Sequence, residues 1–261
     1  MDVWSSGARY DAYVGRWSRP VAAEFVRWLD RSPGARWLDV GCGTGALTEA
    51  VLSAAAPTTV LGVDPSPGFL ASARRSVQDP RARFGAGDAR ALPVGSGSFD
   101  AAVSGLMLNF VAERTAALGE LRRAVGPGGE VAAYVWDYPA GMQLMSAYWD
   151  TVTELGLADP AAHEAVRFGF CRPGALRAVF TAAGLTDVRT TAIVVPTTFR
   201  DLEDLWSPFL GGTGPAPAHL ASLPLADRDS VRDGVRNRLP AAEDGSIRLT
   251  ARAWAVRGSA P

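Results

Sequence analysis

Residues 36–46, RWLDVGCGTGA, constrain the fold of this chain more than any other stretch. Trp37, Leu38 and Val40 form a short apolar run of the kind a buried strand shows. Gly41, Gly43 and Gly45 follow at once, and then Leu47, Val51, Leu52 and Ala55 recur at helical spacing. The unit is therefore strand, glycine turn, helix. Glycine reaches positive φ and leaves no Cβ between the backbone and a ligand. The turn opens on a helix N-terminus, whose free N–H groups attract negative charge. Three glycines within five residues exceed what a ligand-free turn needs.

GCGTGA also satisfies the dinucleotide fingerprint G-x-G-x-x-G/A, but the surroundings point elsewhere. Asp39 sits inside the first strand, two residues before Gly41. Asp64 ends the next strand, TTVLGVD, and Asp88 follows the third, ARFGAGDA. Acidic or polar groups thus close three successive strands on the rim where open α/β sheets bind ligands.

Taken together, LDVGCGTG, GVDPS, GDARALP and the later RRAVGPGGEV resemble the class I S-adenosylmethionine-dependent methyltransferases, in the small-molecule branch related to quinone and sterol C-methyltransferases. The resemblance covers about residues 8–136. It implies an α/β, Rossmann-like, doubly wound seven-stranded sheet with an antiparallel last strand. A small helical cap is expected from insertions after strands five and six. It implies S-adenosyl-L-methionine as cofactor and S-adenosyl-L-homocysteine as product. It also implies a single domain: a cofactor-covering segment at 1–33, the cofactor-binding core at 34–136, cap and substrate elements at 137–170 and 197–245, and the last strand at 246–261.

The cofactor-binding residues implied are Tyr13, Arg16, Asp39, Gly41, Cys42, Gly43, Asp64, Pro65, Ser66, Gly87, Asp88, Ala89, Ser104 and Gly105. Asp64 takes both ribose hydroxyls in the family pattern, as a carboxylate with two oxygens is suited to do. Pro65 and Ser66 flank the adenine, and Asp88 or the following N–H reads its edge. The segment YDAYVGRWS resembles the one that folds over the cofactor in this branch, with Tyr10, Tyr13, Arg16 and Trp17 as its candidates. Arg16 would meet the methionine carboxylate through paired donors.

Taken in order, Pro20 sits where a first helical turn starts, and Val21, Phe25, Trp28 and Leu29 continue it. Ser66 reads as an N-cap with Pro67 at the first helical position. The fourth strand, FDAAVS, leads into an apolar rim of Leu106, Met107, Leu108 and Phe110. A helix through Leu118, Leu121 and Val125 is expected to end on Gly126-Pro127, a C-cap glycine and a breaker. Gly128 and Gly129 then turn into strand five, EVAAYVW. Met142, Met145, Trp149 and Val152 share a helical stripe. LTDVRTTAIVV reads as strand six, Thr198 with Asp201 resembles a capping box, and IRLTARAWAV reads as the last strand.

Composition bounds the rest. All 26 basic residues are arginine, against 27 acids, for a net charge of −1. A lysine Schiff base or P-loop lysine is thereby excluded, and no general attraction to nucleic acid or an anionic membrane is implied. Cys42 and Cys171 are far apart and in no metal spacing, so no metal site is expected. Cys42 reads as a small filler in the turn. The N-terminus, MDVWSSGARYDAYVGRWSR, has no apolar core of a secretion signal, and no apolar run reaches membrane length. A cytoplasmic protein with a small-molecule substrate, and neither nucleic acid nor membrane as partner, is the expectation; the oligomeric state stays open.

Methyl transfer from a sulfonium needs the nucleophile held in line near the methyl carbon. A general base is needed only for a nucleophile protonated at working pH. The candidate bases are Asp137 and Tyr138, which follow strand five, then His163 on an expected exposed helix and His219 beside a flexible Gly/Pro loop. Two other readings share the turn: a cofactor-binding cyclase or rearrangement enzyme of the same fold, and an NAD-dependent oxidoreductase.

Overall fold

Parallel strands buried on both faces read as apolar runs, and Trp37–Val40, Val60, Val63, Ala101–Val103 and Val131–Val135 carry that burial here. The structure is a computed structural model that describes residues 15–211 and 214–261. Tyr10 and Tyr13, expected over the cofactor, lie outside these residues.

The elements run α1 (Arg16–Leu29), β1 (Arg36–Val40), α2 (Ala46–Ala54), β2 (Thr59–Asp64), α3 (Pro67–Ser76), β3 (Ala82–Ala86), β4 (Phe99–Gly105), α4 (Arg114–Ala124), β5 (Val125–Trp136), α5 (Gln143–Glu154), α6 (Glu164–Arg167), α7 (Pro173–Ala182), β6 (Thr186–Phe199), α8 (Leu202–Trp206), α9 (Pro215–Ser222), α10 (Leu225–Arg238) and β7 (Ile247–Ser259). The seven strands form one sheet in the order β3-β2-β1-β4-β5-β7-β6. β1, β2, β3, β4 and β5 pair in parallel. β7 opposes β5: Gly128 N–H donates to Ala260 O while Asp137 N–H donates to Arg252 O, so one strand rises as the other falls. The expected doubly wound seven-stranded sheet with a reversed last strand is thus present. Strand order reverses direction between β1 and β4, the crevice where such sheets place ligands.

The chain divides into two compact units. The first comprises Ser18–Val135, Phe170–Ile193 and Ala253–Pro261, and holds β1 to β4 with their helices. The second comprises Trp136–Gly169 and Val194–Arg252, with Gly15–Trp17. In it α5 is buried along most of its length, through Leu144, Met145, Ala147, Tyr148, Trp149, Thr151 and Val152. Tyr148 stacks on Phe209 at 5.1 Å, and Trp206 stacks on Phe209 at 5.3 Å. Among the described residues no helix is long and apolar enough to cross a membrane.

Three local expectations are corrected. α1 begins at Arg16, so Pro20 lies inside it rather than at its start. The extra turn carries Trp17, 4% exposed, which meets Phe199 edge-on at 5.7 Å; its burial offsets the backbone hydrogen bond that Pro20 cannot make. No C-cap glycine ends α4. Val125 is extended (φ −91, ψ 151) and already pairs with Phe99, so β5 starts there. Because Ala101 pairs with Glu130, residues 126–129 bulge from β5 and are pinned by Gly128 and Gly129 to Ala260. Thr198 does not cap α8. Asp201 does, accepting from Asp204 N–H at 2.8 Å, while Asp204 accepts from Arg200 N–H at 3.0 Å. The reciprocal arrangement sits three residues later than read, because Thr198 is held in β6.

Candidate active site

The glycine turn is built by hydrogen bonds to β2. Gly41 N–H and Cys42 N–H both donate to Val63 O, at 2.7 and 3.1 Å. Gly41 has φ +72, and a Cβ there would lie 2.5 Å from Met107 Cγ, so both backbone and neighbour require glycine. A Cβ on Gly43 would meet nothing within 4 Å, which leaves that part of the turn open. Asp64 gathers the turn and the start of α3. Its Oδ2 accepts from Gly43 N–H at 3.0 Å and its Oδ1 from Ser66 N–H at 2.8 Å. Ser66 caps α3 as expected, accepting from Phe69 N–H at 3.4 Å with Pro67 at the first helical position. Gly87 N–H donates to Asp64 O at 3.3 Å, which sets the chain after β3 beside the same strand end.

These loops border a cleft of about 410 Å³, lined by Gly41, Pro65, Gly87, Asp88, Ala89 and Arg90, and by Met107 and Phe110–Glu113. That is the size of a small-molecule site. Its charge is carried by a triad. Arg90 holds both oxygens of Asp88, at 3.0 and 2.7 Å, and reaches Glu113 at 3.1 Å. The Arg90 hydrogen bonds hold the Asp88 carboxyl down to about 2. Sequence reasoning missed Arg90 and Glu113. Arg90 stands two residues after Asp88 in GDARALP, but its span to Glu113 joins two loops 23 residues apart.

Other expected residues lie deeper. Asp39 is buried within β1 and is not on the rim. Its Oδ2 accepts from Thr48 Oγ1 at 2.7 Å, while its Oδ1 has no hydrogen-bond partner. Burial raises the Asp39 carboxyl to about 7 against the lowering by Thr48, with Asp64 adding to the rise. Cys42 is buried, and its thiol is pushed up by burial first and then by Asp39 and Asp64, so it stays protonated, as a filler should. Ser104 is fully buried with its Oγ unpartnered. Gly105 is packed under Tyr134, whose Oη would lie 2.5 Å from a Cβ.

In the other unit, Arg16 pairs with Asp204 at 3.3 Å, donates to Thr198 O at 3.1 Å and lies 5.0 Å over the Phe199 ring. The candidate bases are all there as well. Asp137 is 2% exposed and accepts from Arg252 Nε at 2.6 Å and Ala140 N–H at 3.2 Å, the setting of a structural carboxylate. Tyr138 is buried 4.5 Å from the Phe168 ring. His163 is not on an exposed helix: its Nδ1 caps α6 by accepting from Ala165 N–H at 3.0 Å, and its ring stacks on Trp149 at 5.7 Å. His219 Nε2 donates to Leu157 O at 3.1 Å, which leaves Nδ1 to accept from Tyr148 Oη–H at 2.7 Å. Burial, and then Glu164, push the Tyr148 phenol up, so that proton stays in place. Both histidines therefore serve packing. Among the described residues no His, Cys, Asp and Glu group could hold a metal ion.

The residues of the cleft fit a nucleoside. Beside the cleft, Asp64 anchored at the β2 tip suits a vicinal diol; within it Gly41 lets a ligand approach the backbone, and Pro65, Met107 and Phe110 offer apolar walls. A family profile described as a methyltransferase domain matches residues 38–133. The chain is 31% identical over 236 residues to a trans-aconitate 2-methyltransferase of Deinococcus radiodurans, covering 86% of each chain. It is 38% identical over 124 residues to a demethylmenaquinone methyltransferase of Renibacterium salmoninarum, where the match spans 48% of this chain and 49% of that one. In fold it is similar to Haemonchus contortus phosphoethanolamine N-methyltransferase 2 in complex with S-adenosyl-L-methionine, with a TM-score of 0.57, 17% identity, and 92% of this chain and 52% of that one covered. Whole-length likeness at this identity, on a sheet with a reversed last strand, means that the chain belongs to the class I S-adenosylmethionine-dependent methyltransferase family.

Proposed function

We propose that the cleft holds S-adenosylmethionine and that the protein transfers its methyl group to a small organic acceptor. Bound there, the cofactor supplies a methyl carbon on a positively charged sulfur, and transfer leaves neutral S-adenosylhomocysteine. The observation that carries the reading is Asp64, whose two oxygens gather Gly43 N–H and Ser66 N–H at the mouth of the glycine turn. Asp64 takes the ribose hydroxyls; Pro65 and Ser66 flank the adenine; Ala89 N–H reads its edge, because Arg90 occupies the Asp88 carboxylate. Gly41, Cys42 and Gly43 bring the backbone close, and Ser104 and Gly105 mark the β4 end for the reacting part. Residues 137–170 and 197–245 carry acceptor recognition. Cytoplasmic location and a small-molecule partner complete the reading. Arg16 and Asp39, expected at the cofactor, each also hold a protein partner, Asp204 and Thr48.

Calorimetric titration of the protein with S-adenosylhomocysteine tests this. One-site binding is expected, weakened at least tenfold in Asp64→Ala. Absence of binding to the wild-type chain overturns the reading. Formation of S-adenosylhomocysteine from S-adenosylmethionine with an acceptor present separates a methyltransferase from a cofactor-binding cyclase.

A further inference from the structure

A second cavity, of about 550 Å³, lies wholly within the second unit and shares no residue with the cofactor cleft. Arg16 borders it from the start of α1, Phe199, Arg200 and Asp204 from the run of β6 into α8, and Asp244 and Arg248 from the entry to β7. Three arginines therefore face two aspartates, in a chain whose net charge is −1. The aspartates are already engaged by neutral donors. Asp204 Oδ2 accepts from Arg200 N–H at 3.0 Å, and Asp244 Oδ1 accepts from Ser246 N–H at 3.0 Å and Ser246 Oγ–H at 2.6 Å. Their contacts with the arginine side chains are long: Arg16 to Asp204 at 3.3 Å, Arg248 to Asp244 at 3.4 Å and Arg200 to Asp204 at 3.9 Å. A well-made N–H···O bond between charged groups measures about 2.7–2.9 Å, as Arg90 makes to Asp88 at 2.7 Å. Arg16 is set in place rather than neutralised. Its Nη2 donates to Thr198 O at 3.1 Å and its guanidinium lies 5.0 Å over the buried Phe199 ring. A cation over an aromatic face is fixed in orientation and keeps its charge.

The geometry points to this cavity as a binding site for a small dianion, a molecule with two carboxylates or one phosphate, held by Arg16, Arg200 and Arg248. A guanidinium presents its donors in a planar fork that matches carboxylate and phosphate oxygens. An oxyanion takes up the donors that the aspartates leave unused and offsets the excess positive charge. The volume is that of a small-molecule site. Arg200, Asp204 and Asp244 fall within 197–245, the stretch given to acceptor recognition above. On the methyltransferase reading, and resting on it, the dianion thus belongs to the acceptor and binds beside the cofactor.

Calorimetric titration of the full chain, alone and saturated with S-adenosylhomocysteine, tests this with succinate and inorganic phosphate as probes and succinamide as the uncharged control. At least one dianion is expected to bind both forms at one site, with succinamide at least tenfold weaker. Tighter succinate assigns the site to carboxylates, and tighter phosphate to a phosphate ester. Arg200→Ala and Arg248→Ala should each weaken that dianion at least fivefold at unchanged melting temperature, because both side chains are exposed. Arg200→Lys should recover only part of the loss, since an ammonium has no fork. Asp244→Asn should tighten binding severalfold: the amide oxygen still serves Ser246, and the charge competing for Arg248 is gone. Neither dianion binding, equal binding to wild type and both alanine variants, succinamide matching succinate, or no gain in Asp244→Asn overturns the inference. So does mutual displacement of succinate and S-adenosylhomocysteine, which gives these arginines to the cofactor's own carboxylate. A wild-type chain that binds the dianion but no S-adenosylhomocysteine defeats the methyltransferase reading and leaves the anion site standing.

Discussion

At Asp64, both carboxylate oxygens accept backbone N–H groups, so the residue tolerates no donor in its place. Asp64→Asn turns an N–H₂ toward one of two N–H donors and removes the charge. Hydrogen bonds to charged groups contribute about 1.5–3 kcal/mol, so S-adenosylhomocysteine affinity should fall roughly 10- to 100-fold, with a lower melting temperature; unchanged affinity in calorimetry would contradict the proposed role. Asp39 predicts a pH effect of the opposite kind to most acids. Burial keeps it protonated in the folded chain up to about pH 7, whereas its ordinary value is 3.8. Between those limits the folded state binds more protons than the unfolded, so this contribution to stability is complete below the ordinary value and is lost as pH rises through 7. Asn at position 39 has no proton to lose and still offers Thr48 an acceptor. Asp39→Asn should therefore gain on the wild type between pH 4 and pH 8, by an amount on the order of 1–4 kcal/mol, read as diverging denaturation midpoints. The letters of Asp64, Pro65, Gly87 and Asp88 were legible because a strand and its glycine turn are local. Arg90 and Glu113 were not, since their meaning depends on where two distant loops meet.

Helices and strands were legible where pattern and cap coincide, and misread where a tertiary contact outweighs the local signal. α3 has both its N-cap serine and its proline in place, and it starts where the sequence says. At Gly126 the C-cap signal is genuine as composition, but Val125 gains a sheet partner in Phe99 and the strand takes over the helix end. At α8 the motif was right in kind and displaced by three residues. Asp201→Ala there removes the side-chain acceptor for Asp204 N–H and should cost about 1 kcal/mol, a fall of about 2–4 °C in melting temperature for a chain of this size. Thr198→Ala, at an exposed β6 position, should stay within about 0.5 kcal/mol; the reverse order would restore the original capping reading. Asp137 at the end of β5 separates structure from catalysis in the same way. Its carboxylate meets Arg252 Nε at 2.6 Å and Nη2 at 2.5 Å. Asp137→Ala removes the buried carboxylate that this arginine, a third exposed, holds, at a cost of about 2 kcal/mol after discount for solvent. S-adenosylhomocysteine affinity should not change, and a variant that melts like the wild type but loses turnover would make Asp137 a base after all.

For the molecule as a whole, the sequence motifs end near β5, and the units divide on another line. β6 and β7 are each shared, with Thr186–Ile193 and Ala253–Ser259 in one unit and Val194–Phe199 and Ile247–Arg252 in the other. No linear reading could have drawn that boundary, because it cuts through single strands rather than through a linker. Every residue lining the cleft belongs to the unit built on β1 to β4. Ligand stabilisation must then enter through the unfolding of that unit. At a free concentration 100 times the dissociation constant, a ligand bound only by the folded state adds about 2.7 kcal/mol. With a melting shift of roughly 2–4 °C per kcal/mol in chains of this size, S-adenosylhomocysteine should raise the midpoint by about 5–10 °C. Because β5, β6 and β7 each have residues in both units, melting one unit breaks strands that continue into the other. A single calorimetric transition that moves as a whole is therefore the expected record. Two transitions, of which only one shifts with ligand, would show that the shared strands do not couple the units, and the shifting one would report the unit that holds Asp64.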